Sequence, residues 1–288
     1  MDRKIIDEKV VSFLPKAVEH REYITEAMNY SVTNGGKRIR PYLMYLAYRM
    51  CGGDKDIVDY FMAAIEMIHS FSLVHDDLPA MDNDVLRRGR PTTWSKYGEA
   101  QGILAGDGLS LYAFETCLSS AKEFPDCAER IVKASHILAN KSGLFGMIGG
   151  QSLDVMMEGK KLDKDQINFI HENKTCALLE APFMIGAVLA GKDENYFGEL
   201  GLKLGLAFQI QDDYLDVAGD EETLGKPVNS DEKNNKMTYV NIFGLVETKM
   251  IYETYYRECI EIVEALEGVE EYKKEILEVI RKLISRNN

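Results

Sequence analysis

The chain has 288 residues, of which 45% are hydrophobic and 28% charged, and its formal net charge is −13. This length allows one large domain or two small ones, and the composition is ordinary for a globular protein. The negative balance argues against a nucleic-acid-binding surface, which needs a basic face. It does not exclude an anionic substrate, because basic residues can cluster at one site and metal ions can reverse the sign of its charge.

The cysteines and the first residues favour a cytoplasmic protein. Five scattered cysteines without a C-x-x-C pair indicate reduced core thiols. The opening Met-Asp-Arg-Lys-Ile-Ile-Asp alternates in charge and lacks an apolar core, so no signal peptide is predicted. No uncharged apolar run reaches membrane-spanning length, so no transmembrane segment is expected and any membrane contact would be peripheral.

The hydrophobic spacing is helical almost throughout the chain. A first pattern covers residues 3 to 33, with a kink or break at Pro15. Its predicted apolar stripe consists of Ile6, Val10, Phe13, Leu14 and Val18. Asn34-Gly35-Gly36 should stop this helix, and another is expected from Tyr42 to Met50.

The middle of the chain predicts four further helices. A long apolar one spans Ile57 to His75, and a loop over residues 79–91 follows it. The next pattern runs from about Thr93 to Lys122, although four glycines weaken that prediction. A helix over residues 128–144 comes after it. A short helix carrying Gln151 and Asp154 is expected between Gly149-Gly150 and Gly159.

The last part of the chain is also predicted to be helical. Asp163 is a plausible N-cap for a helix that continues to residue 190 with a kink at Pro182. The following helix begins at Asp193, and Gly201 and Gly205 would let it approach a neighbour closely. Residues 218–237 form a polar loop too long for a simple connector. Two or three helices end the chain, and the prediction is one all-α domain over residues 1–288.

Two groups of aspartates end long apolar helices. Asp76, Asp77 and Asp82 form the first group, and Asp212, Asp213 and Asp216 the second. Unit charges about 4 Å apart repel by about 4 kcal/mol at an effective dielectric constant near 20. A fold that collects them is expected to hold a cation, and oxygen ligands favour Mg²⁺. The alternative for the first group is a helix cap with a solvated acidic loop, which the apolar run before it disfavours.

Basic and polar residues near these groups predict binding of an anion. Lys37, Arg38 and Arg40 follow two glycines at a helix start, where backbone N–H groups also favour an anion. His69 lies two turns before Asp76 on the same face, although a lone histidine is more often part of a core. Arg87 and Arg88 suit bidentate contact with a diphosphate, or they pair with Asp82 or Asp84 as surface ion pairs. Lys174 lies in an apolar helix, where it either extends its charge to solvent or points into a polar cavity, and Gln209 lies one turn before the second group. Lys226 and Lys236 flank the long loop, where lysines are ordinarily solvated.

In combination these motifs resemble those of the trans-prenyltransferases, or polyprenyl diphosphate synthases, from about Gly35 to Tyr239. The matching stretches are Gly35-Gly36-Lys37-Arg38-Ile39-Arg40-Pro41, His75-Asp76-Asp77-Leu78-Pro79-Ala80-Met81-Asp82 with Arg87-Arg88-Gly89, Lys174-Thr175, and Gln209-x-x-Asp212-Asp213-x-x-Asp216. Gly225-Lys226 and Asn235-Lys236-x-Thr238-Tyr239 match the family's loop lysines. The first aspartate motif has the longer form that is typical of bacterial members.

The resemblance implies a helical bundle around a deep central cavity, usually a homodimer, with one aspartate motif on each side of the mouth. It implies three Mg²⁺ ions, for which Mn²⁺ could substitute, between the aspartates and an allylic diphosphate. The expected metal ligands are Asp76, Asp82 and Asp212, supported by Asp77 and Asp216. The expected catalytic residues are Asp76, Asp77, Asp82, Lys174, Gln209 and Asp212.

The resemblance also divides the substrate-binding residues between two diphosphates. Those expected at the allylic diphosphate, dimethylallyl or geranyl, are Arg87, Lys174, Thr175, Gln209, Lys226 and Lys236. Those expected at isopentenyl diphosphate are Gly36, Lys37, Arg40, His69 and Arg88. The implied reaction begins with ionisation to an allylic carbocation, which the double bond of isopentenyl diphosphate then attacks. The departed diphosphate would take the proton that is lost, so no protein nucleophile is needed.

The product length is predicted from one position of the long apolar helix. Phe71 lies five residues before Asp76, which is about 7.5 Å along a helix axis. A ring there, with Ser72 beside it, should close the cavity below a short chain and give a C15 product. The same position resembles that of bacterial farnesyl diphosphate synthases, while the simpler interpretation is that Phe71 is a core residue.

Three other functions are alternatives to this prediction. A geranylgeranyl or other longer-chain synthase is the nearest one. A class I terpene cyclase would need only one diphosphate site, so the basic residues from Gly36 to Arg40 argue against it. A non-catalytic subunit of a heteromeric synthase would lose one aspartate group, whereas both groups are present here.

Overall fold

The computed structural model describes residues 3–218 and 238–285, and these are helical apart from loops and one two-stranded hairpin. The predicted all-α class is therefore confirmed. The chain divides into two compact units, Met1–Tyr45 with Asp54–His136 and Leu46–Gly53 with Ile137–Asn288. A single domain over residues 1–288 stays a prediction. The helices over residues 39–50 and 128–142 contribute residues to both units.

Seven helices and one hairpin make up the described chain from residue 3 to residue 142, and short loops connect them. They are α1 Arg3–Ser12, α2 Glu22–Thr33, α3 Ile39–Met50, α4 Ile57–Asp76, β1 Leu86–Arg87, β2 Arg90–Pro91, α5 Thr93–Tyr97, α6 Glu99–Ser119 and α7 Ala128–Ser142. Short 3₁₀ turns occupy Ser120–Lys122 and Pro125–Cys127. The break at Pro15 and the stop after Thr33 are confirmed. Val18 is wrong as a stripe residue, because it follows the break and is 54% exposed.

The centre of the first unit is α4, which packs along α6 and also contacts α1 and α2. Its predicted start at Ile57 is confirmed, and it ends at Asp76, one residue later than predicted. Among the described residues it is the one helix with the length and hydropathy of a membrane span. The protein itself buries 78% of its most apolar stretch, which is typical of a core helix.

Glycines explain why α6 can lie so close to α4 and α5. A Cβ added to Gly106 would come within 2.2 Å of His75 Nε2 on α4, and one added to Gly102 would come within 2.9 Å of Trp94 Cβ on α5. A larger residue at either place would push the helices apart. The predicted single helix from Thr93 to Lys122 is wrong in one respect, because Gly98 has a φ of +91° and separates α5 from α6.

The helices after residue 142 belong to the second unit. They are α8 Met147–Met156, α9 Lys164–Ile170, a π-helical segment His171–Cys176, α10 Ala177–Leu189, α11 Asn195–Ala218, α12 Tyr239–Ala265 and α13 Glu270–Ile284. Gly149 and Gly150 lie inside α8 rather than before it, which corrects the predicted start of that helix. The rest of the predicted loop over residues 218–237 lies outside the described residues, apart from Ala218.

Two local predictions in the second unit are confirmed. The Asp163 side chain accepts a hydrogen bond from the Gln166 amide, and the Gln166 side chain accepts one from the Asp163 amide, so the N-cap is a capping box. Gly201 and Gly205 do allow close packing on the preceding helix. A Cβ at Gly201 would lie 2.5 Å from Glu180 Cα, and one at Gly205 would lie 2.8 Å from Cys176 Cα.

Candidate functional site

The first aspartate group lies where α4 ends and the chain turns back. The Asp82 amide donates to the Asp76 carbonyl at 2.9 Å, so the loop returns to the end of the helix. Asp76 is half-buried, Asp77 is buried and Asp82 is exposed. The structure therefore brings the three residues to one turn, with Asp77 directed into the protein.

The Asp77 carboxylate is held by an arginine of the hairpin. Its Oδ1 accepts from Arg87 Nε at 2.8 Å and lies 2.6 Å from Arg87 Nη2. Burial raises the pKa of Asp77, and the hydrogen bond from Arg87 opposes that shift. Asp84 lies farther away, 3.7 Å from Arg87 Nη2. Asp77 thus fixes the Arg87 guanidinium at the helix end, and the metal and diphosphate roles of these two residues stay predictions.

The glycine-rich step before α3 contacts the hairpin through Arg88. Arg88 Nη1 donates to the Gly35 carbonyl. A Cβ at Gly36 would lie 2.9 Å from the same nitrogen, and the φ of Gly36 is +137°. Only glycine meets both conditions comfortably, since L side chains rarely adopt this backbone conformation. Lys37 is exposed beside this contact.

The charges of four arginines act on His69 in the same unit. Burial lowers the pKa of His69 well below its usual value, and the charges of Arg40 and Arg88 lower it further. Arg87 and Arg38 act in the same direction. Arg40 is half-buried, and its Nε has no hydrogen-bond partner among the residues that the structure describes. A neutral imidazole surrounded by guanidinium groups suits an anionic ligand, because the ligand would relieve their mutual repulsion.

Arg38 belongs to the scaffold of this cluster. Its guanidinium donates to Glu66 Oε1 at 2.6 Å, to Asp7 Oδ1 at 2.7 Å and to the Val32 carbonyl at 2.7 Å. All three of its nitrogens are therefore occupied, and the side chain is buried. Glu66 was not singled out from the sequence, because one glutamate inside an apolar helix gives no sign of a partner far away in the chain.

The two predicted chain-length residues lie in the last turns of α4. Phe71 is 8% exposed, and its ring meets the His75 ring edge-on at 5.4 Å between centroids. His75 Nε2 lies 3.1 Å from the Ile103 carbonyl of α6. The half-buried Ser72 donates its hydroxyl to the His69 carbonyl at 2.9 Å. Phe71 is thus held in place from α6 through His75, while the Ser72 hydroxyl is used within its own helix.

The second aspartate group lies at the end of α11 in the other unit. Asp212 and Gln209 are half-buried, whereas Asp213 and Asp216 are buried. Gln209 Nε2 lies 3.5 Å from Asp213 Oδ1, and Asp213 Oδ2 accepts from the Tyr239 amide at 3.0 Å. Asp213 therefore links α11 to the start of α12, which leaves Asp212 as the more accessible of the two adjacent carboxylates.

Lys174 and Thr175 lie on the π-helical segment rather than on a regular helix. Lys174 Nζ contacts Asp154 Oδ2 of α8 at 2.5 Å, and both side chains are 28% exposed. Close packing holds the segment, since a Cβ at Gly150 would come within 2.2 Å of the Lys174 amide nitrogen. The sequence predicts Asp154 on a short helix but gives no sign of this ion pair. Lys226 and Lys236 lie outside the described residues.

The carboxylates fit a hard cation only when a ligand completes its coordination. Across residues 3–218 and 238–285, no three His, Cys, Asp or Glu side chains come together closely enough to hold an ion. In phosphate sites, Mg²⁺ is usually held by one or two carboxylates and completed by phosphate oxygens and water. Asp76 with Asp82 in one unit, and Asp212 with Asp216 in the other, stay the predicted donor sets of that kind.

Comparisons with known proteins show which family the chain is similar to. A family model described as Polyprenyl synthetase matches residues 21–279. The chain is 42% identical over 286 residues to a geranylgeranyl diphosphate synthase of Cyanophora paradoxa, covering 98% of this chain and 90% of that protein. It is 43% identical over 253 residues to a farnesyl diphosphate synthase of Geobacillus stearothermophilus, covering 86% and 84% respectively. A solved geranyltransferase from Helicobacter pylori, complexed with magnesium and isoprenyl diphosphate, has a TM-score of 0.82 at 35% identity, covering 98% of this chain and 96% of that one.

Proposed function

Because the chain belongs to the polyprenyl synthetase family and is a prenyltransferase, we propose that it makes farnesyl diphosphate. It condenses isopentenyl diphosphate head-to-tail with an allylic diphosphate. The proposed part is the length of the product, which is C15. The observation that carries the two-diphosphate reaction is the cluster of arginines around His69, where Arg40 Nε has no hydrogen-bond partner among the described residues and the collected positive charge suits an anion.

The cluster of Arg40, Arg88 and His69 is the proposed site of isopentenyl diphosphate. Arg88 is anchored by the Gly35 carbonyl, and Gly36 leaves room for its guanidinium. Lys37 is exposed next to the Arg88–Gly35 contact and is proposed to bind a diphosphate oxygen. His69 stays neutral among the arginines and can donate one ring N–H to the ligand.

The two aspartate groups are proposed to hold three Mg²⁺ ions together with the allylic diphosphate. Asp76 and Asp82 would be ligands on one side and Asp212 on the other, supported by Asp77 and Asp216. When bound, the metal ions supply positive charge that stabilises the departing diphosphate.

The chain's own cations share the work of holding the allylic diphosphate. Lys174 and Arg87 are already paired with carboxylates, so a bound diphosphate would compete with Asp154 and Asp77 for them. Thr175 and Gln209 are half-buried polar groups that can donate hydrogen bonds to the leaving oxygens. Lys226 and Lys236 are proposed to add positive charge from the loop. None of these residues needs to form a covalent bond with the substrate.

The C15 length is proposed from the place of Phe71. The Phe71 ring lies on α4 five residues before Asp76, and its edge-on contact with His75 supports the proposal that it stops the growing chain. The relatives include both farnesyl and geranylgeranyl diphosphate synthases. A C20 product is therefore the second candidate, favoured by the 42% identity to a geranylgeranyl diphosphate synthase.

A homodimer is proposed from the exposed face of α6. Leu104, Leu111 and Leu118 are 52%, 73% and 48% exposed and recur every seven residues along the helix. Such a stripe on one helix face is suited to packing against the same helix of a second copy. The reduced cysteines favour a cytoplasmic location for this assembly.

Product chromatography tests the function directly. We expect the purified protein to convert geranyl diphosphate, isopentenyl diphosphate and Mg²⁺ mainly into a C15 diphosphate, and omission of isopentenyl diphosphate should leave the primer unchanged. A mainly C20 product would contradict the proposed length. A hydrocarbon formed from the primer alone would indicate a terpene cyclase, and activity only after addition of a second protein would indicate a subunit of a heteromeric synthase.

Substitution of Arg88 tests the isopentenyl site. We expect Arg88→Gln to raise the KM for isopentenyl diphosphate about tenfold, because a charge-assisted hydrogen bond is worth about 1.5–3 kcal/mol. The KM for geranyl diphosphate should change by less than about twofold, as expected for independent sites. Arg90→Gln is the matched control, since Arg90 is exposed two residues away on β2. Equal increases in both KM values, or the same effect in the control, would contradict the assignment.

A further inference from the structure

His171 is a buried residue of the second unit that the proposed reaction does not use. It opens the π-helical segment and is 9% exposed. Its Nδ1 is buried and has no hydrogen-bond partner within residues 3–218 and 238–285. A buried polar atom without a partner costs about 1–3 kcal/mol, so the presence of this histidine calls for an explanation.

The ring of His171 is held by its face rather than by its nitrogens. It stacks on the Tyr239 ring with 5.3 Å between centroids and 17° between planes. Its Nε2 lies 3.9 Å from Asp213 Oδ2, which is beyond hydrogen-bond length. Burial lowers the pKa of His171 to about 4, so the ring is uncharged at neutral pH. The stack is therefore a contact between two neutral rings.

This stack joins the elements that carry the second half of the proposed site. The Tyr239 amide donates to Asp213 Oδ2, next to Asp212 on α11. The Tyr239 hydroxyl bonds to Asn168 Oδ1 of α9. Lys174 follows His171 by three residues on the same π-helical segment. One ring contact thus connects the Lys174 segment with the end of α11 and with the start of α12.

We propose that His171 is a positioning residue for the allylic diphosphate site, in which its ring, stacked on Tyr239, holds the Lys174 segment in register with the second aspartate group. The proposal rests on the proposed function, since it needs Lys174 and Asp212 to serve one diphosphate. His171 touches neither the substrate nor the reacting atoms. Because the stacked face and not the nitrogens makes the contact, another aromatic ring can replace it.

The test compares three substitutions at this position by titration calorimetry with geranyl diphosphate and Mg²⁺, and by steady-state kinetics. His171→Ala and His171→Leu should weaken geranyl diphosphate binding about tenfold, with a change of less than about twofold in the KM for isopentenyl diphosphate. His171→Phe should restore binding to within about twofold and melt no lower than the unsubstituted protein, because the buried nitrogens are gone. His136→Ala, on an exposed histidine of α7, is the control.

Four results would overturn the proposal. They are unchanged binding in His171→Ala, equal weakening of both substrates, a His171→Phe protein as impaired as His171→Ala, and a normal Tyr239→Leu protein, which removes the other ring of the stack. If His171→Ala does not fold, His171→Leu and Tyr239→Leu supply the same comparison. Calorimetry reports on the stack without turnover, so a chain that binds geranyl diphosphate but makes no product would contradict only the proposed function.

Discussion

Replacing Asp76 by asparagine should lower kcat/KM by about 10³-fold, equivalent to about 4 kcal/mol of transition-state stabilisation. The amide keeps the shape of the carboxylate but removes the charge that would hold a metal ion beside the leaving diphosphate. Asp76 is half-buried at the end of α4, where the loop returns with Asp82. Initial rates measured across a range of Mg²⁺ concentrations check this, and half-saturation should move upward by at least about tenfold.

The control for Asp76→Asn lies in the same loop. Asp84 is 54% exposed and comes no nearer than 3.7 Å to Arg87. We expect Asp84→Asn to retain activity within about threefold, because surface substitutions usually change free energies by about 0.5 kcal/mol or less. Both proteins should melt at temperatures close to that of the unsubstituted chain. An unaltered Mg²⁺ dependence in Asp76→Asn, or the same loss in both variants, would exclude Asp76 as a metal ligand.

The helix bounds next to this site could be predicted because the decisive signals are local. The apolar run from Ile57 ends at the first two aspartates, and the helix itself ends at Asp76. The stop at Asn34-Gly35-Gly36 and the Asp163 cap depend on residues within one or two turns of the helix end. Hydrophobic spacing and caps therefore suffice to predict that the charged groups lie at helix ends.

The errors concern glycines and irregular helices, where distant packing decides. Gly102 and Gly106 weaken the prediction of α6 from the sequence, yet Gly106 lets α6 approach α4 and Gly102 lets it approach α5. Gly98 has no Cβ contact within 4 Å but adopts a positive φ, so it breaks the helix. Whether a glycine permits packing or ends a helix depends on the neighbouring element, which a single sequence does not reveal.

The pairing of the charged residues was also beyond prediction. Arg87 and Arg88 are adjacent in sequence, but Arg87 binds the Asp77 carboxylate while Arg88 binds the Gly35 carbonyl. The hairpin of β1 and β2 causes this difference, and its two-residue strands are too short to give a periodic signal. The sequence also gives no sign that Lys174 pairs with Asp154. Lys174 lies on a π-helical segment, whose side chains point in other directions than those of a regular helix.

Replacing Phe71 by alanine should change the main product from C15 to C20 or longer. The ring is 8% exposed and is held edge-on by His75, so its removal opens a space of ring size about 7.5 Å along the helix axis below Asp76. Chromatography of the products, with geranyl diphosphate as primer and excess isopentenyl diphosphate, measures the shift. Phe71→Leu, which removes less volume, should give a mixture of C15 and C20 chains.

Loss of stability has to be separated from loss of the obstacle, because removing a buried phenylalanine ring costs about 3–5 kcal/mol. Phe61 provides the comparison, since it is fully buried ten residues earlier on the same helix. Phe61→Ala should lower the melting temperature at least as much as Phe71→Ala while the main product stays C15. If Phe71→Ala is folded and active but still stops at C15, the ring is not what ends chain growth. If Phe61→Ala lengthens the product as well, general loosening of α4 explains the effect and Phe71 has no special place in it.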